Sequence, residues 1–233
     1  MLECKAHDSD PPCHPLRLYD THRLVPLAYT DEPSGPLMRI AESEEHRARI
    51  DELDGLTNEQ VWAENNLLPG IGIQELVSGV PHARIINGAF TFAHPLGSRF
   101  SGPDRGAWYP GFVVETAQTE VAFHKSIHLQ EIGVFYDEVT YVDYLADFNG
   151  EFHDLRNNPV FLPCLSPDSY VDSQELAQHL LNIGSVGVVY PSVRHTGGAC
   201  IACFRPAVVS YVRRGSSYRF SWNGQPAPTI TAI

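Results

Sequence analysis

Residues 97–124 contain the sequence GSRFSGPDRGAWYPGFVVETAQTEVAFH, in which glycine-rich turns lead through a strand into a helix. Glycine and proline interrupt regular structure in the first half, and the second half predicts a helix over 117–128 with Thr116 as its N-cap. Arg99 and Glu120 place a guanidinium and a carboxylate in this single stretch. Neither GxxxxGK(S/T) nor a strand-linked GxGxxG occurs in it, so a bound ligand would be held by side chains more than by a helix N-terminus.

The rest of the chain after position 81 predicts short strands and isolated helices. The pattern predicts strands over 83–92, 107–114, 134–142, 186–190, 199–204 and 208–212, and a helix from 172 that ends at Gly184. Because strands seldom alternate with helices, we predict an α+β fold with a mixed or antiparallel β-sheet core and flanking helices.

The N-terminal third of the chain has a different texture. Residues 1–40 are rich in proline, histidine and aspartate, which predicts an extended or loosely packed arm, and residues 41–66 predict helical structure. We therefore expect an N-terminal arm and helical elaboration over 1–80 and a main domain over 81–233.

The composition of the 233 residues is globular, with 43% apolar and 19% charged residues. The net charge of -12 argues against sequence-independent binding to DNA or RNA, because such binding relies on lysines and arginines that neutralise phosphates. No apolar signal segment is found, and no apolar run approaches the roughly 20 residues that span a bilayer. We expect a cytoplasmic protein that binds neither nucleic acid directly nor a membrane.

Two patterns raise the question of a metal site. Cys200 and Cys203 form a CxxC in a strand-like run, where a spacing of three points the side chains to opposite sides, so we expect them to pack in the core. Glu120, His124 and His128 recur every four residues on the predicted helix. Ligands on successive turns rarely converge on one ion and no HExxH occurs, so we predict no metal, and the face is either solvated surface or part of a binding site.

A polar turn follows the predicted strand over 186–190. Ser192 stands in the sequence YPSVRHTGG at a strand end exposed by a proline turn, a place where binding residues commonly lie. It lacks the GxSxG elbow of serine hydrolases, so we expect its hydroxyl to hold a ribose or an amide.

Taken in their order along the chain, these motifs resemble the RES domain, a family named for its arginine, glutamate and serine. The matching positions are Arg84 in HARIING, Arg99 and Phe100 in GSRFSG, Tyr109 in AWYPG, Glu120 in TEVAFH and Ser192 in YPSVRHTGG. The resemblance covers roughly residues 82–212. The family's turn is closer to Gly-Arg-Trp/Tyr-Asn, so Phe100 keeps an aromatic face without a hydroxyl, and Ser101 has a shorter reach than asparagine.

The resemblance implies an ADP-ribosyltransferase-like fold and a RES-like catalytic domain over 81–233. It implies a toxin of a toxin-antitoxin pair that consumes NAD+ as its substrate, with no further cofactor required. Its partner would be a cognate helix-turn-helix antitoxin of Xre type that covers the active site, in a complex that could contain a toxin homodimer.

The resemblance also implies a role for each matching side chain. Glu120 would stabilise the positive charge that develops on the ribose as the nicotinamide-ribose bond breaks. Arg99 and Ser192 complete the expected catalytic set, the first on the diphosphate and the second on a ribose hydroxyl or the carboxamide. The other expected ligand contacts come from Arg84 on the diphosphate, Phe100 and Tyr109 as aromatic faces, and Arg194, beside His195, on an anionic acceptor.

The acceptor stays open at this point. Water would make the protein a glycohydrolase, phosphate a phosphorylase, and a protein side chain a mono-ADP-ribosyltransferase. The alternative from another class is a non-catalytic module in which the same arginines bind a nucleotide or an acidic partner.

Overall fold

The computed structural model describes residues 10–30 and 68–233 of the chain. The described part has six strands: β1 Cys13–Pro26, β2 Tyr136–Asp154, β3 Gly187–Pro191, β4 Ala199–Cys203, β5 Ser210–Asn223 and β6 Thr229–Ala232. Its α-helices are α1 Ala83–Thr91, α2 Val114–Ile132 and α3 Val171–Asn182. Short 3-10 helices cover Leu27–Tyr29, Ile73–Glu75, Pro159–Leu165 and Pro206–Val208. The predicted α+β class is confirmed.

All six strands belong to one sheet in the order β4-β3-β2-β5-β6, with β1 also paired to β2. β2 is 19 residues long and pairs with β5 through its first part and with β1 through its later part. β2 and β3 run parallel, with His153 opposite Val188, and the other pairs are antiparallel. The prediction of a mixed or antiparallel sheet core is confirmed.

Each of the three helices packs on a cluster of buried side chains of its own. α1 buries Ile85, Ile86 and Phe90 in the first cluster. α3 buries Leu176, Ala177 and Leu180 in the second. α2 buries Ala117 and Leu129 in the third, against Phe220 and Trp222 of β5. Burial of apolar side chains on this scale is the main term that stabilises such a fold.

The strand predicted over 83–92 is wrong, because this segment is helix α1. Its buried residues include Ile85, Ile86, Ala89 and Phe90, which recur at the spacing of a helical face and not at the alternation of a strand. Asn87 fixes the helix to the preceding segment, since its amide exchanges hydrogen bonds of 3.0 and 2.9 Å with the backbone of Val77. Tertiary packing therefore outweighed the β-branched content that had favoured a strand.

The predicted looseness of the N-terminal arm is wrong for residues 13–26, which form β1 and pair along β2. Leu24 and Val25 are buried, and the segment assigned to 1–80 thus supplies a strand to the sheet of the main domain. The helical structure predicted over 41–66 lies outside the described residues.

The other elements follow the predictions with shifted ends. α2 begins at Val114, before the predicted 117, and Thr116 lies inside its first turn while Val113 is the N-cap. The strand predicted over 107–114 is present only as isolated bridges, of Trp108 and Gly111 to β4 and of Gly111 to His22 of β1. α3 ends as predicted before Gly184, which adopts a φ of +87°.

Candidate active site

A cleft of about 220 Å³ lies between β1, α2 and the segment 98–111. The charged and polar side chains that line it include Arg23, Arg99, Glu120, His124, Tyr109, Tyr170 and Tyr190. A concave site with two arginines, one carboxylate and several aromatic rings has the donor set that an anionic nucleotide requires.

Glu120 lines this cleft, and the side chain of Ser192 contacts it from the turn after β3. The Ser192 hydroxyl donates a 2.6 Å hydrogen bond to Oε1 of Glu120. The same hydroxyl oxygen accepts hydrogen bonds from the backbone N–H groups of Arg194 (3.2 Å) and His195 (2.9 Å). Because these two bonds occupy the oxygen's acceptor side, the hydroxyl proton points at the carboxylate and fixes its orientation.

One turn earlier on α2, a second contact ties the helix to the same loop. Thr116 Oγ1 and His195 Nδ1 share a hydrogen bond of 2.8 Å. The Thr116 side chain therefore joins the helix to the turn after β3, and does not cap the helix as predicted.

Arg99 lies in the cleft wall with its guanidinium held on two sides. Its Nη1 donates to the carbonyl oxygens of Cys164 (3.3 Å) and Ser166 (2.7 Å). The guanidinium also lies over the ring of Tyr170, 4.7 Å from the ring centroid. Within the described part of the chain, Nε and Nη2 of Arg99 have no hydrogen-bond partner, which leaves them as donors for a ligand.

Arg23 is a cleft residue that the sequence analysis missed. It extends from β1 with its guanidinium over the ring of Trp108, 4.6 Å from the centroid. Burial lowers the pKa of Arg23 to about 10, so the side chain stays charged at neutral pH. No hydrogen bond or ion pair to its guanidinium is found in residues 10–30 and 68–233.

The predicted cleft role of Arg84 is not supported. The side chain is exposed on α1 and is absent from the cleft lining. The arginine that an early strand brings to the cleft is Arg23, and its signal in the sequence was the short apolar run after His22 in an otherwise polar arm.

The two predicted aromatic contacts have different outcomes. Tyr109 lines the cleft, donates from its hydroxyl to Ser101 Oγ (3.0 Å) and accepts from the backbone N–H of Phe100 (3.1 Å). Burial raises the pKa of Tyr109 to about 12, which keeps its phenol protonated. Phe100 is only 1% exposed and its ring packs 4.7 Å from that of Tyr190, so it is a core residue and its predicted ligand contact is wrong.

Arg194 lies beside the cleft and not in its wall. Its guanidinium stands over the ring of Phe123, 3.5 Å from the centroid, and its Nη2 donates to the carbonyl oxygen of Pro167 at 2.6 Å. Arg105, the second arginine of the 97–124 stretch, pairs with Glu75 at 3.2 Å and supports the fold.

The described residues were also compared with the sequence patterns typical of metal sites and membrane spans. Cys200 and Cys203 are buried in different clusters, which confirms that they face opposite sides of the strand. No group of three or more potential metal ligands occurs among the described residues. No helix in the described ranges is long and apolar enough to cross a membrane.

Comparisons with known proteins complete the description of this site. No curated protein matches the chain. Among solved structures, it is similar to the crystal structure of the M. tuberculosis MbcT-MbcA toxin-antitoxin complex, with 14% sequence identity, 55% of this chain and 73% of that chain covered, and a TM-score of 0.41. The RES domain family model matches residues 77–223, which include Arg99, Glu120 and Ser192. Because this match spans more than half of the chain, the protein belongs to the RES domain family.

Proposed function

We propose that this protein is the toxin of a toxin-antitoxin pair and that it cleaves the nicotinamide-ribose bond of NAD+. The observation that carries the proposal is the carboxylate of Glu120, held by Ser192 in a cleft that also contains Arg23 and Arg99. Membership of the RES domain family supports it, as does the resemblance of the sequence around Arg99, Tyr109, Glu120 and Ser192 to the family's motifs.

The arginines give the cleft its affinity for a dinucleotide. A chain with a net charge of -12 repels an anionic ligand at long range, so binding depends on local cations. Arg23 and Arg99 supply planar guanidinium groups whose free N–H donors suit the oxygens of a diphosphate. In the proposed complex the diphosphate lies between these two side chains.

Glu120 supplies the rate enhancement. Breaking the nicotinamide-ribose bond spreads positive charge over the ribose ring, as in glycoside cleavage. A carboxylate fixed beforehand by the Ser192 hydroxyl stabilises this charge as it develops, without a cost of reorientation at the moment of reaction.

The leaving group needs no metal or added cofactor in this scheme. Nicotinamide departs as a neutral molecule, because the electron pair of the broken bond neutralises its ring nitrogen. The rings of Tyr109 and Tyr190 in the cleft wall offer aromatic faces on which the nicotinamide would stack. The Tyr109 hydroxyl is engaged by Ser101, so its contribution is its ring.

Product analysis tests the proposal and identifies the acceptor. Purified protein is incubated with NAD+, with and without inorganic phosphate, and the products are followed by NMR. Free nicotinamide with ADP-ribose indicates a glycohydrolase, and free nicotinamide with a phosphorylated ADP-ribose indicates a phosphorylase. Nicotinamide release only on addition of cell extract indicates a mono-ADP-ribosyltransferase. NAD+ binding without release in any of these conditions contradicts the proposed reaction and supports a binding module.

Membership of the RES domain family also suggests the protein's partner and its location in the cell. We expect a helix-turn-helix antitoxin of Xre type to cover the cleft, in the cytoplasm, with the toxin as one or two copies in the complex. Expression of the toxin alone should arrest growth and lower cellular NAD+, and co-expression of the antitoxin should restore both. Growth arrest with normal NAD+ would point to a modified protein as the cause.

A further inference from the structure

A second cavity, of about 270 Å³, lies between residues 100–106 and one face of α3, and it shares no lining residue with the cleft. Ser101 lines this cavity, and its Oγ accepts the 3.0 Å hydrogen bond from the Tyr109 hydroxyl of the cleft. Phe100 also lines it, and its ring packs on that of Tyr190 in the cleft. The cavity and the cleft are therefore separate sites with a common wall. The volume is close to the lower end of the roughly 300–1,000 Å³ typical of small-molecule sites.

Two carboxylates line the cavity without a counter-ion. Asp104 belongs to the segment before α2 and Glu175 to α3, and both residues are exposed. Neither side chain has an ion pair or a hydrogen bond within residues 10–30 and 68–233. Arg105, a cation of the same wall, is already paired with Glu75 at 3.2 Å. The charge that remains unpaired in this cavity is therefore negative.

Two amide side chains of α3 add further acceptors. Gln174 donates from Nε2 to the carbonyl oxygens of Leu96 and Ser98, at 3.0 Å each. Gln178 donates from Nε2 to Oδ1 of Asn182 at 3.0 Å. Both glutamines line the cavity, and no described residue donates to their Oε1 atoms. The helical side of the cavity thus offers hydrogen-bond acceptors to a ligand that carries N–H groups.

The segment side of the cavity contains two donors without acceptors. Arg105 is only 8% exposed, and its Nη atoms donate to Glu75 and, at 2.8 Å each, to the carbonyl oxygens of Gly70 and Phe204. Its Nε is buried and has no hydrogen-bond partner. The hydroxyl proton of Ser101, which is 7% exposed, also has no acceptor in the described part of the chain. Because folded proteins leave few buried donors unpaired, these two groups indicate that a ligand oxygen belongs here.

We propose that this cavity is a binding site for a small organic cation. The protonated nitrogen of the ligand lies between Asp104 and Glu175, where it supplies the missing counter-charge. Its apolar body packs on the ring of Phe100, and an oxygen at its far end accepts from Ser101 and Arg105. An anion would be repelled by both carboxylates and by the net charge of -12. This site goes beyond the proposed function and does not depend on it.

Probes that share one skeleton and differ in charge test the proposal. They are 4-hydroxybenzamidine (a cation), 4-hydroxybenzamide (neutral) and 4-hydroxybenzoate (an anion), with benzamidine as the cation that lacks the oxygen. The full-length protein, labelled with 15N, is titrated with each probe, and Kd is obtained from the NMR shifts of the side-chain amides of Gln174 and Gln178. The titrations are repeated with Glu175→Gln and with the matched control Glu131→Gln, since Glu131 is exposed on α2 and lies outside the cavity lining.

We expect 4-hydroxybenzamidine to bind with a Kd of about 1 mM or below, 4-hydroxybenzamide to bind about threefold or more weakly than that, and 4-hydroxybenzoate to show no measurable affinity. Glu175→Gln should weaken the binding of 4-hydroxybenzamidine about threefold or more, and Glu131→Gln should leave it unchanged. Benzamidine should bind more weakly than 4-hydroxybenzamidine, because it leaves the donors of Arg105 and Ser101 unpaired. Thermal unfolding of each variant confirms that the fold is retained.

Three results would overturn the proposal. Equal affinity for the cation and the neutral amide, or equal losses in Glu175→Gln and Glu131→Gln, would show that the cavity carboxylates do not select a cation. Binding that Glu120→Gln weakens more than Glu175→Gln would place the cation in the cleft. Equal affinity for benzamidine and 4-hydroxybenzamidine would remove the contact with Arg105 and Ser101. None of these results bears on nicotinamide release, so the proposed reaction stands or fails separately.

Discussion

Glu120 and Ser192 form one unit at the residue scale, because a single hydroxyl links the carboxylate to two backbone amides. Removing the hydroxyl leaves Glu120 free to rotate and leaves the N–H groups of Arg194 and His195 without their acceptor. The orientation of Glu120 that the proposed reaction requires therefore depends on Ser192, whether or not this side chain touches the substrate.

Ser192→Ala is predicted to lower kcat for nicotinamide release by on the order of 100-fold, with a smaller change in KM, because a misoriented carboxylate stabilises the transition state poorly. Ser221→Ala is the matched control, since Ser221 also donates to a glutamate, Glu138, at 3.2 Å but on the surface. Steady-state kinetics of the two variants check this. Equal activity of Ser192→Ala and Ser221→Ala would show that the hydroxyl has no role in positioning.

Arg23 and Arg84 provide a second contrast between single residues. Arg23→Gln is predicted to raise the KM for NAD+ about tenfold, because it removes a half-buried cation whose guanidinium has no hydrogen-bond or ion-pair partner in the described part of the chain. Arg84→Gln is predicted to leave KM unchanged, because Arg84 is exposed on α1. A larger rise in the KM for NAD+ in Arg84→Gln than in Arg23→Gln would indicate that Arg84, and not Arg23, contacts the diphosphate.

The segment between α1 and α2 is the element that places Arg99 and Tyr109 in the cleft. It passes so close to α1 that the N–H of Gly106 donates to the carbonyl oxygen of Phe90 at 2.8 Å. A Cβ atom at Gly106 would overlap the carbonyl oxygen of Ala89, and no rotamer change can relieve this, because the oxygen belongs to the backbone and Cβ is fixed directly to Cα.

Gly106→Ala is predicted to lower the free energy of unfolding by about 2 kcal/mol, because the segment must move away from α1. Gly102→Ala, at a position with nothing within 4 Å of the added Cβ, is predicted to change it little. Urea denaturation of both variants measures the difference. Similar free energies of unfolding for Gly106→Ala and Gly102→Ala would show that the segment and α1 have room for a Cβ atom between them.

Sequence reasoning succeeded for elements whose signal is local. α3 was predicted from its apolar spacing and terminal glycine, and Glu120 was placed on a helix by its neighbours. α1 was misassigned because Ile85, Ile86 and Phe90 suit a strand by propensity and a helix only by their spacing. The position of α2 within the fold, and hence the contact of Thr116 with His195, depends on tertiary packing that no local pattern encodes.

At the scale of the whole molecule, β1 joins the N-terminal region to the β-sheet of the main domain. Its pairing along β2 buries Leu24 and brings Arg23 to the cleft. The meeting of Glu120 with Ser192 was predictable because the family motifs contain both. The contribution of Arg23 could not be predicted. Arg23 reaches the cleft only because β1 pairs with β2, which is far away in the sequence, and a single sequence does not reveal such pairing.

The pH dependence of stability also belongs to the whole molecule. Burial of His153, on β2, lowers the pKa of its ring below the ordinary value of 6.5, and its Nδ1 shares a hydrogen bond of 2.9 Å with Ser185 Oγ. The unfolded chain therefore binds the proton more tightly than the folded chain, so this group favours unfolding as the pH falls below about 6.5 and has no such effect at higher pH.

The free energy of unfolding is accordingly predicted to fall between pH 7 and pH 5, and His153→Gln should reduce that fall. His128→Gln, on an exposed position of α2, serves as the control and should leave the pH dependence as it is. Urea denaturation at several pH values gives the comparison. If the free energy of unfolding of His153→Gln falls with pH as steeply as that of the wild type, other groups cause the acid sensitivity.

The measurement that tests the central claim most directly is nicotinamide release from NAD+ by wild-type protein, Glu120→Gln and Glu115→Gln. Glu115 is an exposed carboxylate in the first turn of the same helix, so its variant matches the change in charge without altering the cleft. The account predicts release by the wild type and by Glu115→Gln, and a loss of at least about 100-fold in Glu120→Gln with NAD+ binding retained. Release by Glu120→Gln at the wild-type rate would contradict it.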